Sequence, residues 1–81
     1  MKFIFSNHAL KQIKLRNIGV QAIGQILEKP DRITEQSDKS IYQSLIWEKD
    51  KAYLIRIFIN HLVNPAVIIT AYKTSKIDKY L

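Results

Sequence analysis

Ala52-Tyr53-Leu54-Ile55-Arg56-Ile57-Phe58-Ile59-Asn60 is the stretch that decides the fold. It alternates with period two, the side-chain period of a β-strand. Tyr53, Ile55, Ile57 and Ile59 take one face; Leu54, Arg56, Phe58 and Asn60 take the other. The isoleucine face is the more apolar and must be covered, so it is assigned to helices. On the C-terminal side, the loop His61 to Pro65 leads to a last strand, Ala66 to Lys73. There Val67, Ile69 and Ala71 share a face opposite Ile68, Thr70 and Tyr72. On the N-terminal side, Lys49-Asp50-Lys51 is polar enough for a hairpin turn, and Ile41 to Glu48 reads as its partner strand. Ser37 to Ser40 is a turn by composition, and Asp31 to Gln36 reads as a further strand.

Before Pro30 the period changes to that of a helix. Lys2 to Phe5 reads as a short strand, and Ser6-Asn7 offer a helix N-cap. Leu10 and Ile13 begin an apolar stripe that Leu15 and Ile18 widen. Asn17 and Gly19 end this helix, with Gly19 expected in the left-handed C′ position. Val20, Ile23 and Leu27 mark a second helix from Val20 to Lys29, with Gly24 on the stripe for close packing. Pro30 stops it. Thr74 to Leu81 is a basic tail with room for one helical turn. The expected fold is α+β: two N-terminal helices on one face of a three- or four-stranded antiparallel sheet.

Composition bounds the function. Eighty-one residues make one domain, 1–81, and 47% hydrophobic residues suit a globular chain. Thirteen Lys and Arg against seven Asp and Glu give +6. That balance favours a polyanionic partner. With no cysteine there is no disulfide, zinc-thiolate site or thiol nucleophile. The apolar run at the start is too short for a signal peptide, and no stretch approaches the roughly 20 apolar residues of a membrane span. A cytoplasmic protein with no membrane contact is expected. His8 and His61 match no metal-ligand spacing, and no P-loop, Gly-rich dinucleotide turn or nucleophile elbow occurs, so no metal and no cofactor are expected. The seven acids sit beside turns or other charges, not in apolar runs that would raise a carboxyl pKa.

What the residues allow is phosphoester chemistry without metal. RNA carries its own nucleophile, the 2′-hydroxyl; the enzyme adds a proton acceptor, a proton donor and cations. His8 falls in the first turn of helix 1, where the helix dipole disfavours a protonated imidazole and leaves a base. The plainer reading is an ordinary surface residue. Lys11 shares its face, and Lys14 and Arg16 follow. If Val67, Ile69 and Ala71 lie on the helix side too, then Arg56, Thr70 and Tyr72 lie together on the open face, a platform for phosphate and base. The plainer reading there is a cation–π contact of Arg56 with Tyr72 or Phe58. Lys73, Lys76 and Lys79 in the tail could grip phosphates or simply aid solubility.

Phe5-Ser6-Asn7-His8-Ala9-Leu10, then Arg16-Asn17-Ile18, then Glu28-Lys29-Pro30-Asp31 resemble the opening of a small bacterial family. Its pattern is His-Ala, then Arg-x-Ile, then Asn/Lys-Pro-Asp. The end, Ile68-Ile69-Thr70-Ala71-Tyr72-Lys73-Thr74-Ser75-Lys76, resembles the last strand of the RelE/BrnT-like and EndoU/barnase-like ribonuclease group. The resemblance implies a metal-independent endoribonuclease, often the toxin of a toxin–antitoxin pair, with RNA as substrate and an acidic antitoxin-like protein as partner. His8, Arg16, Thr70 and Tyr72 are carried over by position, and Lys76 lies in the basic stretch after the last strand. With Arg56 added from the residue reading, His8, Tyr72 and Lys76 are the catalytic candidates, and Arg16, Arg56 and Thr70 the substrate-binding ones. RelE-type members often work without histidine, so the role of His8 transfers least. Many also carry a last-strand arginine where this chain has Lys73; Arg56 is the substitute. A non-catalytic module binding RNA or an acidic protein is the alternative.

Overall fold

The computed structural model describes residues 2–80. Its elements run β1 (Phe3–Phe5), α1 (Asn7–Leu15), α2 (Val20–Glu28), β2 (Arg32–Glu35), β3 (Ser40–Glu48), β4 (Lys51–Asn60), β5 (Ala66–Thr74) and a 3₁₀ turn, η1 (Ile77–Tyr80). The strands form one sheet in the order β1-β5-β4-β3-β2. The expectation of α+β with two helices holds, but the sheet has five strands and is mixed, not three- or four-stranded and antiparallel. β1 lies parallel to β5, Phe3 beside Ala66 and Phe5 beside Ile68. The physical reason is an edge. After pairing with β4, the outer side of β5 still carries free backbone groups, and β1 occupies part of it.

β4 sits in the middle with Ile55, Ile57 and Ile59 exposed by 1% or less. These three share one buried cluster with Ala9, Ile13 and Ile18, with Ile23 and Ile26 of α2, and with Ala66, Ile68 and Ala71 of β5. The helices therefore cover the isoleucine face, as the alternation demands. Phe3 and Tyr42 meet edge-to-face at 6.0 Å although two strands separate theirs. The sheet must curl toward the helices to bring them together.

The helix stripes differ from the sequence reading. Leu10, Leu15 and Val20 are exposed, and the buried positions are Ala9 and Ile13 on α1 and Ile23 and Ile26 on α2. Ser6 sets the phase of α1. Its hydroxyl accepts from the Ala9 amide and donates to the Ile69 carbonyl of β5. That double bond turns the small Ala9 toward the strand and Leu10 away from it. The end of α1 also differs. Asn17, not Gly19, is left-handed, with φ of 54°. The Ile18 amide bonds to the Ile13 carbonyl and the Asn17 amide to the Lys14 carbonyl. These are the two bonds of a Schellman motif, and Ile13 and Ile18 make its apolar contact. Gly19 has φ of −68° and serves as the N-cap of α2. Gly24 makes no close approach: a methyl group there meets nothing within 4 Å.

Strand β5 departs from simple alternation. Phe58 pairs with Thr70 and Ile59 with Ile68, so Ile69 has no partner on β4. This β-bulge resets the phase. Ala66, Ile68 and Ala71 are buried together, where the sequence pattern placed Val67, Ile69 and Ala71 on one face. The β3–β4 hairpin closes on two residues, Lys49 and Asp50, both with positive φ, as a right-twisted two-residue turn requires. The tail segment Thr74 to Leu81 supplies the end of β5 and η1; Leu81 lies outside the described residues. Among the described residues, no helix is long and apolar enough to cross a membrane.

Two substitutions test this packing. Ile57→Ala removes a side chain with no exposed surface at the centre of the cluster and should cost about 2–5 kcal/mol in urea or thermal unfolding. An unchanged melting curve would place Arg56, not Ile57, on the core side. Gly24→Ala adds a methyl into open space within α2 and should raise stability by about 0.5–1 kcal/mol. A loss of stability would show that the α2 face at Gly24 is closed.

Candidate functional site

The face of the sheet away from the helices carries one polar and aromatic cluster, built by strand register. Arg56 pairs with Gln43 on β3 and with Tyr72 on β5, and directly opposed residues point the same way. Arg56 Nε donates to Gln43 Oε1 at 3.1 Å, and Nη1 donates to Tyr72 Oη at 2.6 Å. Phe58 lies two residues along β4 and stacks on Tyr72 at 5.8 Å. Thr70, opposite Phe58, completes the strand-borne set. The bulge makes this possible: it returns Thr70 and Tyr72 to the open face while Ile68 joins the core.

The guanidinium is held by neutral groups. A guanidinium has five N–H donors, and the two hydrogen bonds leave three. Three rings surround its carbon: Tyr80 at 4.4 Å, Phe58 at 5.4 Å and Tyr72 at 5.8 Å. Among the described residues the one ion pair is Lys73 with Glu48, at 2.9 Å on the helix side of the sheet. The charge of Arg56 is thus oriented but not neutralised. Burial pushes the Tyr72 phenol above its ordinary value of 10.0, and the Tyr80 hydroxyl adds to the rise. The neighbouring guanidinium pulls the other way and is outweighed. Tyr72 therefore keeps its proton at neutral pH.

Arg56, Thr70 and Tyr72 come together as the sequence reading placed them; the other candidates stand elsewhere. His8 is exposed on α1, the layer that covers the opposite face through Ala9 and Ile13. Arg16 is engaged at the edge of β5, where Nη1 donates to the Ala71 carbonyl at 2.7 Å. It continues the work of Ser6, whose amide and hydroxyl donate to the Ile68 and Ile69 carbonyls. Together they satisfy the part of the β5 edge that β1 leaves bare. Lys76 is exposed in the turn after β5, where its amide bonds to Thr74 Oγ1. Lys73 belongs to a separate group on the helix side, with Glu48, the Asn17 carbonyl and the Tyr53 ring.

Gln43 and Tyr80 are site residues that sequence reasoning missed. Gln43 is 3% exposed, and nothing in a run of strand residues marks it until the β3–β4 register sets it beside Arg56. Tyr80 stands in what reads as a solvated basic tail. The one available signal was an aromatic among its lysines.

Comparison with curated proteins and with solved structures gives no match, and nothing found ties the chain to RelE/BrnT-like or barnase-like ribonucleases. A family described as a domain of unknown function (DUF4258) matches residues 5–73. That span takes in both helices, β2 to β4 and nearly all of β5, and so every strand-borne residue of the Arg56 cluster. On this match the chain belongs to the DUF4258 family.

Proposed function

We propose that the chain acts on RNA as a metal-independent endoribonuclease of the toxin type, with the Arg56–Tyr72 face as its site. One observation carries the reading. Arg56 is fixed by two neutral acceptors among aromatic rings, and its charge has no carboxylate partner among the described residues. A guanidinium so held fits a phosphodiester through its free N–H groups, and the rings around it fit bases. The net charge of +6 adds attraction to a polyanion, and the resemblance of the last strand to ribonuclease toxins agrees with it.

In this reading the RNA 2′-hydroxyl attacks the adjacent phosphorus, and the bond from phosphorus to the 5′-oxygen breaks. Arg56 binds the phosphoryl oxygens as charge grows on them. Tyr72, kept protonated, donates its proton to the departing 5′-oxygen. Thr70 contacts the backbone, and the 2′-hydroxyl proton leaves to solvent. His8 takes no part, because it stands on the helix layer. That placement also favours a second reading, a module that binds RNA without cutting it. Without an imidazole in the cluster, the face is better furnished for binding than for proton abstraction.

The test is incubation of the purified protein with RNA in chelator, scored for 2′,3′-cyclic phosphate ends. Tyr72→Phe should slow cleavage by about 10²–10⁴-fold, and His8→Gln should leave it near the parent rate. A His8→Gln protein that loses activity to that extent would return the base to α1. A parent that binds RNA and never cuts it would establish the binding module. In either case RNA affinity should fall steeply between low and physiological salt, through counterion release. A flat salt response would remove nucleic acid as the partner.

A further inference from the structure

Arg56 offers two different surfaces to a ligand. Its edge carries the three unused N–H groups, which suit phosphoryl oxygens. Its flat face suits an aromatic ring, and a ring already stands within cation–π distance of it. The Tyr80 ring lies 4.4 Å from the guanidinium carbon, nearer than Phe58 or Tyr72. Unlike those two, Tyr80 does not come from the sheet. It belongs to η1, a four-residue turn with no buried residue, joined to β5 through Ser75 and Lys76. It meets Tyr72 in a tilted arrangement at 6.0 Å. A short terminal element with no buried residue opens locally at low cost. A nucleobase stacks on a guanidinium plane much as a tyrosine ring does.

We propose that Tyr80 occupies the place of a nucleobase, so that η1 is a displaceable lid over Arg56. The site then takes a single-stranded nucleotide whose base replaces the Tyr80 ring while its phosphate uses the free edge of the guanidinium. The inference rests on RNA being the ligand. It adds a specific claim: the ring competes with the base and not with the phosphate. A base-free polyanion should therefore not feel the lid.

The experiment compares the parent with Tyr80→Ala and with Tyr80→Leu, the latter keeping apolar bulk in case the alanine variant fails to fold. Each is titrated with a fully 2′-O-methylated hexauridylate, which cannot be cleaved, and with inorganic tripolyphosphate. The NMR signal of Arg56 Nε–H reports on the site itself. The hexauridylate should bind both variants roughly 2- to 5-fold more tightly than the parent, as expected from removing one cation–π competitor near the surface. Tripolyphosphate should bind all three alike. Equal or weaker hexauridylate binding by a folded variant overturns the lid alone. A matching gain with tripolyphosphate also overturns it, because the ring would then shield charge rather than hold a base position. No hexauridylate binding by the parent or either variant overturns the RNA reading, and this inference with it.

Discussion

The rest of the molecule depends on the burial of three isoleucines at alternate positions of one strand. Ile55, Ile57 and Ile59 have almost no exposed surface, and each buried side chain of this kind contributes about 1.5–3 kcal/mol. That is a large fraction of what a domain of this size can hold in reserve. The constraint has two consequences. Both helices must lie on the isoleucine side, and whatever lies between the isoleucines must point the other way. Arg56 is the residue between Ile55 and Ile57. Its position on the far face is the direct result of its neighbours' burial.

The edge of β5 shows how a second constraint shapes the first layer. A strand beyond the end of a short neighbour has carbonyls to satisfy. Here the Ser6 amide and hydroxyl and the Arg16 guanidinium supply the donors, to Ile68, Ile69 and Ala71 in turn. This ties α1 to β5 at both its ends and selects Ala9 and Ile13 for the interface. Arg16 has a structural task that accounts for its position. The bulge at Ile69 belongs to the same region. It lets β5 serve the core with Ile68 and Ala71 while presenting Thr70 and Tyr72 on the other side.

On that other side, orientation and charge are separated. Arg56 is positioned by a carbonyl oxygen and a phenol oxygen, so the groups that hold it do not cancel it. A carboxylate in either place would hold it more tightly and leave less for a ligand. The same arrangement keeps Tyr72 protonated, since the desolvation of the phenol outweighs the nearby positive charge. The proposed chemistry and the proposed lid both use this one cluster, from its edge and from its face.

The α+β class, the two helices, the order of the later strands and the face assignment of β4 were all legible in the sequence. Each rests on a local period or on a residue such as Pro30 that acts on its own neighbours. The partnership of Arg56 with Tyr72 was legible too, as two residues on one expected face. Tertiary structure alone decided the rest. The parallel pairing of β1 and the burial of Ala9 in place of Leu10 answer backbone groups that a distant segment leaves unpaired, and the bulge at Ile69 is set by the register of β5 against β4. Gln43 and Tyr80 enter the site through register and through chain reversal, which bring together residues far apart in sequence. His8 leaves it for the same reason: a helix position says which turn it occupies, and only packing says which side of the sheet that turn covers. Periodicity is a property of neighbours along the chain, whereas a site is a property of neighbours in space.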